Sequence, residues 1–301
     1  MKTPEYLKPG DKIALVAPAR FVEPEELTVS KQIFESAGLE VVEPDNFFNK
    51  HNQFSGTDSE RADDFQKLLD DSSIKAIFCA RGGYGSVRTL QSLTFDKFIK
   101  NPKWIVGFSD ITVFHSYINT KLGVETLHAP MPFSVGKPDA DKESFQYTID
   151  WLFGKPRNYV FSNHPLNCEG KAKGRLVGGN LSVLYSLRGT PADIDTHNKI
   201  LFIEDLDEYL YHIDRMMMNF KYGEKLNSLR GLVVGGMNDM KDNAVPFGKD
   251  AYQIISSIVS DLNIPVCFGF PAGHEKVNWP LALGSEVVLD VSSNCKLQFI
   301  K

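Results

Sequence analysis

The sequence predicts an α/β fold, with an N-terminal, mainly parallel α/β sheet domain followed by a smaller, β-rich α/β domain. Three observations predict it. Short apolar runs alternate with longer stretches of helical period through the first half, the pattern of βαβ units on a parallel sheet. The second half alternates less regularly and is richer in short apolar runs. Between them, Gly154 to Gly174 is rich in Pro, Asn, Ser and Gly, holds Pro156 and Pro165, and sustains no period, which is linker composition. The expected boundaries are a first domain at 1–155, a linker at 156–174 and a second domain at 175–301. A chain of 301 residues accommodates two domains at about 150 residues each.

Lys12 to Ala17 is the first expected strand, stopped by Pro18. Glu25 to Ala37 carries Leu27, Val29, Ile33 and Phe34 near helical spacing, with Gly38 as its C-terminal cap. A strand at Glu40 to Val42 and a helix at Ser59 to Leu69 follow. Ile74 to Ala80 (IKAIFCA) is short and, but for Lys75, apolar, as a buried strand is. Trp104 to Val106 is another strand and runs into Gly107-Phe108-Ser109-Asp110, after which Ile111 to Leu122 is helical and closes at Gly123. The second half predicts a helix over Asn180 to Leu187, a strand at Ile200 to Ile203, and a helix from about Asp207 on which Leu210, Ile213, Met217 and Phe220 step by three and four. Further strands are expected at Leu232 to Val234, Val266 to Phe268, Glu286 to Leu289 and Lys296 to Ile300.

Composition excludes several classes. The 33 Lys and Arg against 38 Asp and Glu give a net charge of −5 with the signs interspersed, so neither a nucleic acid nor an anionic membrane is the expected partner. No apolar run approaches the ~20 residues of a membrane helix, and Ile13 to Ala17 is shorter than the ~7–15-residue core of a signal peptide; a cytoplasmic chain is expected. Cys79, Cys168, Cys267 and Cys295 are scattered without C-x-x-C or zinc spacing, so no metal, cofactor or disulfide framework is expected.

Ligands of open α/β sheets bind beyond the carboxyl ends of strands, and three such places carry chemistry. Ser109 sits on a strand-to-helix turn, where a hydroxyl can stand clear of the backbone beside amide donors; G-x-S-D is only half a nucleophile-elbow pattern, and spacing alone favours Ser109 or Asp110 as a helix cap. Arg81-Gly82-Gly83-Tyr84-Gly85 follows a strand but has neither Walker A nor G-x-G-x-x-G order. Its amides could hold an oxyanion or carboxylate, with charge from Arg81 or Arg88, or it could be a plain tight turn. Glu204 ends the strand ILFI and could orient a histidine, while Asp205 or Asp207 would cap the following helix. Of the histidines, His128 and His274 both follow strand-like runs. Context favours His274 slightly without separating them.

Taken in order, Pro9-Gly10-Asp11, Ala80 to Gly85 (ARGGYG), Gly107 to Asp110 (GFSD), Gly178 to Leu181 (GGNL), Ile203 to Asp205 (IED), Tyr211 to Met216 (YHIDRM) and Gly273-His274 resemble the LD-carboxypeptidase family of serine peptidases, which includes muramoyltetrapeptide carboxypeptidases and microcin C immunity peptidases. The resemblance spans nearly the whole chain. It implies Ser109 as nucleophile, Glu204 as orienter and His274 as general base. Amides near Gly83 and Asp110 are implied as the oxyanion hole, and the active site is implied to lie between the two domains. The implied substrate is a cytoplasmic murein tetrapeptide that loses its terminal D-alanine, the implied assembly a homodimer. Arg81 or the glycine-turn amides are candidates for docking the free carboxylate. Two departures from the family bear on pocket shape: Ala129 stands where relatives often carry Gly, and Trp279 follows His274. Two other readings compete, an immunity-type peptidase cleaving a peptidyl or aminoacyl nucleotide and a non-catalytic anion- or peptide-binding module.

Overall fold

The structure is a computed structural model that describes residues 1–156 and 158–300. In chain order the strands are β1 (Lys12–Val16), β2 (Glu40–Val42), β3 (Ile74–Cys79), β4 (Trp104–Gly107), β5 (Thr126–His128), β6 (Tyr159–Ser162), β7 (Gly170–Asn180), β8 (Lys199–Leu206), β9 (Gly231–Asn238), β10 (Val266–Cys267), β11 (Leu281–Leu283), β12 (Glu286–Val291) and β13 (Asn294–Phe299). They make two sheets, ordered β11-β5-β4-β3-β1-β2 and β10-β9-β8-β7-β12-β13-β6. The first is parallel except for β11, which runs antiparallel to β5. The second is parallel from β10 to β7 and antiparallel from β12 to β6. This is the mixed α/β architecture expected, with its β-rich second half.

The strands are continuous apolar runs because both faces of each sheet are covered. Ile13 and Leu15 of β1 enter one layer with Phe34, Phe78 and Trp104, whereas Ala14 and Val16 enter the opposite layer with Phe65, Ile77 and Phe114. The same two-residue alternation divides β8: Leu201 and Ile203 pack on Ile213, Met217 and Phe220 of the helix Leu210–Tyr222, and Ile200 and Phe202 pack on Phe270 and Leu289. Several links join the two sheets. β11 lends the first sheet an edge strand from late in the chain. Thr112, on the helix Thr112–Tyr117, accepts the Asn180 amide at 3.0 Å, and Ser116 on the same helix donates to the Ala192 carbonyl at 2.5 Å.

Some elements depart from expectation for identifiable reasons. The stretch read as linker holds β6 and the start of β7. In β6, Tyr159 and Phe161 are buried and alternate with exposed residues, and its hydrogen bonds come from distant β13. Two further helices lie at Lys142–Leu152 and Ala251–Val259. The second is rich in isoleucine, which hides its period, yet its capping box of Asp250 and Gln253 is a helix-start signal in plain sequence. The helix expected from Asp207 begins at Leu210, since Asp207 adopts φ 63° and pairs with Lys241 at 2.6 Å.

Phe34 is fully buried between Phe78 and Phe145, with ring centroids at 4.7 and 5.5 Å. Phe34→Ala should destabilise the protein by about 3–5 kcal/mol, read as a lower urea midpoint at unchanged slope; a loss below about 1 kcal/mol would contradict this packing.

Candidate active site

β4 ends at Gly107, and beyond Phe108 the chain turns so sharply that Ser109 takes φ 63°. A side chain in that left-handed region is strained and must be held by its surroundings. His115 donates through Nε2 to the Gly107 carbonyl at 2.8 Å, and the Ala129 amide donates to the same oxygen at 3.1 Å. Burial lowers the His115 pKa to about 4, so this ring stays neutral. Ser109 makes no capping bond. Its Oγ stands 3.0 Å from His274 Nε2. Asp110, whose pKa is raised by burial, accepts the amide of Ser86 at 2.8 Å and so caps a neighbouring helix rather than its own.

Glu204 lies in β8 where the pairing with β9 shifts register between Ile203 and Asp205, an irregularity of the kind that re-aims side chains beside a site. Its side chain is fully buried. Oε2 accepts from His274 Nδ1 at 2.7 Å and from the His274 amide at 3.1 Å. Gly273 permits that approach, for a Cβ there would fall 2.6 Å from Oε2, and its own φ is 109°. The Gly273 amide is held by Asn278 Oδ1 at 2.9 Å. Burial pulls the His274 pKa down, but the charge and hydrogen bond of Glu204 and the charge of Asp205 outweigh it, leaving it above the ordinary histidine value.

Asp205 does not cap the helix that follows it. It receives Asn180 Nδ2 at 2.9 Å, the Ser182 amide at 2.8 Å and Ser182 Oγ at 3.2 Å, and so fastens the start of the helix Leu181–Ser186 to β8. Burial, then the charge of Glu204, pushes its pKa to about 7. Ser109 and His274 open on a cavity of about 550 Å³ that Arg81, Gly82, Gly83 and Asp110 also line. Gly82 lies against the serine: a Cβ on it would meet Ser109 Cβ at 3.3 Å. Among the described residues, the amides of Gly83 and Asp110 have no protein acceptor.

Arg81 lines the cleft but is already engaged, 3.5 Å from Glu26, donating to the Phe21 carbonyl at 3.4 Å and lying over the Phe133 ring. His128, the other histidine weighed, is buried against Phe108 and Phe202 and makes no bond to Ser109 or Glu204; burial and the charges of His115 and His274 hold its pKa well below the ordinary value. No group of three His, Cys, Asp or Glu among the described residues could hold a metal ion. Asn278, Thr112 and Asn180 brace the site from a loop, a helix and a strand end. Of these only Asn180 fell within a motif, because bracing needs no fixed sequence spacing.

Residues 13–129 match the LD-carboxypeptidase N-terminal domain and residues 173–289 the LD-carboxypeptidase C-terminal domain. The probable murein peptide carboxypeptidase of Bacillus subtilis (strain 168) is 34% identical over 300 residues, covering 96% of this chain and 92% of that protein. The microcin C7 self-immunity protein MccF of Escherichia coli is 29% identical over 266 residues, covering 78% of this chain and 77% of its own length. The crystal structure of muramoyltetrapeptide carboxypeptidase from Oxalobacter formigenes superposes with a TM-score of 0.88 at 29% identity, over 96% of this chain and 99% of that one.

NMR titration of the His274 imidazole should give a pKa above about 6.5, the unperturbed value. Glu204→Gln removes the offsetting charge and leaves the burial, so the pKa should then fall; an unchanged or higher value would refute the electrostatic coupling.

Proposed function

The chain belongs to the LD-carboxypeptidase family, and from that premise we propose that it is a serine-type LD-carboxypeptidase that releases the terminal D-alanine of a cytoplasmic murein tetrapeptide during peptidoglycan recycling. One observation carries the reading: the hydrogen-bonded series Glu204, His274, Ser109, with spacings of 2.7 and 3.0 Å. Glu204 fixes the imidazole with its proton on Nδ1, which leaves Nε2 free to accept the Ser109 proton. Ser109 Oγ then bonds to the scissile carbonyl carbon, and the carbonyl electron pair moves to oxygen, where the Gly83 and Asp110 amides donate to it. Collapse breaks the C–N bond as His274 returns the proton to the leaving amine. Water, deprotonated by His274, hydrolyses the acyl-serine by the same steps in reverse order.

General-base help is worth about 10²–10⁴ in rate and one oxyanion donor about 10²–10³. The raised pKa of His274 supports an acid limit: the base must be neutral, so activity falls as pH drops through a value above the usual one. Arg81, kept in place by Glu26, adds positive potential to the cleft wall that faces an anionic peptide. Action in the cytoplasm as a homodimer belongs to the same proposal.

Incubation with murein tri-, tetra- and pentapeptides, followed by mass spectrometry, tests it. Loss of one alanine from the tetrapeptide is expected, and Ser109→Ala and His274→Ala should each reduce that rate by at least about 10³-fold while circular dichroism stays unchanged. Hydrolysis of a peptidyl nucleotide with the tetrapeptide untouched would assign the immunity-type substrate instead. Binding of peptide without any turnover would leave only a binding module.

A further inference from the structure

We propose that Arg20 is the residue that docks the free carboxylate of the substrate, a specificity-determining role that rests on the carboxypeptidase reading above. Among the described residues, three Lys or Arg side chains line the cleft: Arg20, Arg81 and Lys137. Arg81 is occupied by Glu26 and the Phe21 carbonyl, and Lys137 Nζ sits over the Phe133 ring at 4.6 Å. Arg20 differs in having a fixed stem and an open head. Its amide donates to the Gly82 carbonyl at 3.3 Å, and its backbone bridges to Phe54. Its side-chain stem lies across Gly83 so closely that a Cβ on that glycine would fall 2.2 Å from Arg20 Cδ and 2.5 Å from Cγ. Among the described residues no carboxylate or carbonyl engages its guanidinium, and the residue is exposed.

The order along the turn matches what an exopeptidase must measure. In a peptide that loses its last residue, the terminal carboxylate lies about one residue's rise, roughly 3.5 Å, beyond the attacked carbonyl. Gly82 touches Ser109, and Gly83, the next residue, carries the Arg20 stem. A carbonyl placed over Ser109 with its oxygen toward the Gly83 amide therefore sets the following carboxylate within range of the guanidinium. The planar fork of arginine pairs with a carboxylate through two parallel hydrogen bonds. Gly83 has two uses here: its amide is open, and its missing side chain is the seat of the Arg20 stem. Neither an amidated terminus nor an internal peptide bond offers the charge that such a fork selects.

Steady-state kinetics on murein tetrapeptide and on the same peptide with a D-alaninamide terminus test the proposal. Wild type should lose about 10- to 100-fold in kcat/KM on amidation, the range set by charge-assisted hydrogen bonds. Arg20→Ala should show that loss already on the free acid and little discrimination between the two peptides, with Arg20→Lys between. Equal activity of Arg20→Ala and wild type on the free acid, or an equal loss on both peptides, would overturn it. A second measurement needs no turnover: labelling of Ser109 by a fluorophosphonate in the presence of N-acetyl-D-alanine. Wild type should be protected and Arg20→Ala labelled at the unprotected rate. Failure of N-acetyl-D-alanine to protect wild type overturns the docking role, whereas protection without hydrolysis of either peptide would remove the peptidase reading and leave Arg20 as a carboxylate site.

Discussion

A fully buried carboxylate, Glu204, in contact with one imidazole is the constraint on which the rest of the site depends. Taking a carboxylate out of water costs several kcal/mol unless donors replace the lost hydration. Glu204 Oε2 has two, both from His274, while Oε1 has no partner among the described residues. His274 is thus both the group Glu204 orients and the group that makes its burial tolerable. The Gly273-His274 dipeptide must come within hydrogen-bonding distance of β8, which requires a glycine at the first position and an anchor, Asn278, to keep the loop there. The uncompensated part of the carboxylate field is also the part that favours a positive charge on the ring.

From that fixed pair the architecture follows in space. The serine follows β4 of the first sheet, the carboxylate lies in β8 of the second, and the imidazole sits on the loop that leaves β10, so the 3.0 Å contact between Ser109 and His274 is only as stable as the join between the sheets. That join runs close to the site. Thr112 lies three residues after Ser109 and accepts the amide of Asn180, whose side chain binds Asp205, the neighbour of Glu204. The strand-to-helix turn that strains Ser109 therefore continues into the helix that grips the second sheet. A shift of the sheets would move the Ser109 hydroxyl and the His274 imidazole apart, and a misplacement of about 1 Å is worth roughly 10²-fold in an oriented reaction.

Much of this was legible in the residues. Parallel strands announced themselves as apolar runs because both faces are covered, and the strand ends marked where Ser109, Glu204 and the glycine turn would lie. Contact between His274 and Glu204 could not be read from spacing, since 70 residues separate them and only the pairing of β8, β9 and β10 brings them together; family resemblance, not periodicity, singled out His274 over His128. Burial separates those two histidines, and burial is a property of the fold. β6 stayed hidden for a related reason: its four residues gain their order from β13, more than a hundred residues later. Capping assignments failed at Ser109 and Asp205 because cap preference is local, and both side chains were drawn to partners across the site.

Glu204 and Asp205 also show how adjacent carboxylates can be given different work. Both are buried, and the charge of Glu204 opposes the ionisation of Asp205. Glu204 faces a ring that can carry the compensating proton. Asp205 faces neutral donors, the Asn180 amide group and the Ser182 amide and hydroxyl, which solvate it without neutralising it. Burial, and then the adjacent Glu204 charge, push the Asp205 pKa up to about 7. The Asp205 charge is, after that of Glu204, one of the two that raise the His274 pKa. The helix Leu181–Ser186 and the imidazole of His274 are in this way both tied to one carboxyl group, the chain neighbour of Glu204 at the register shift in β8.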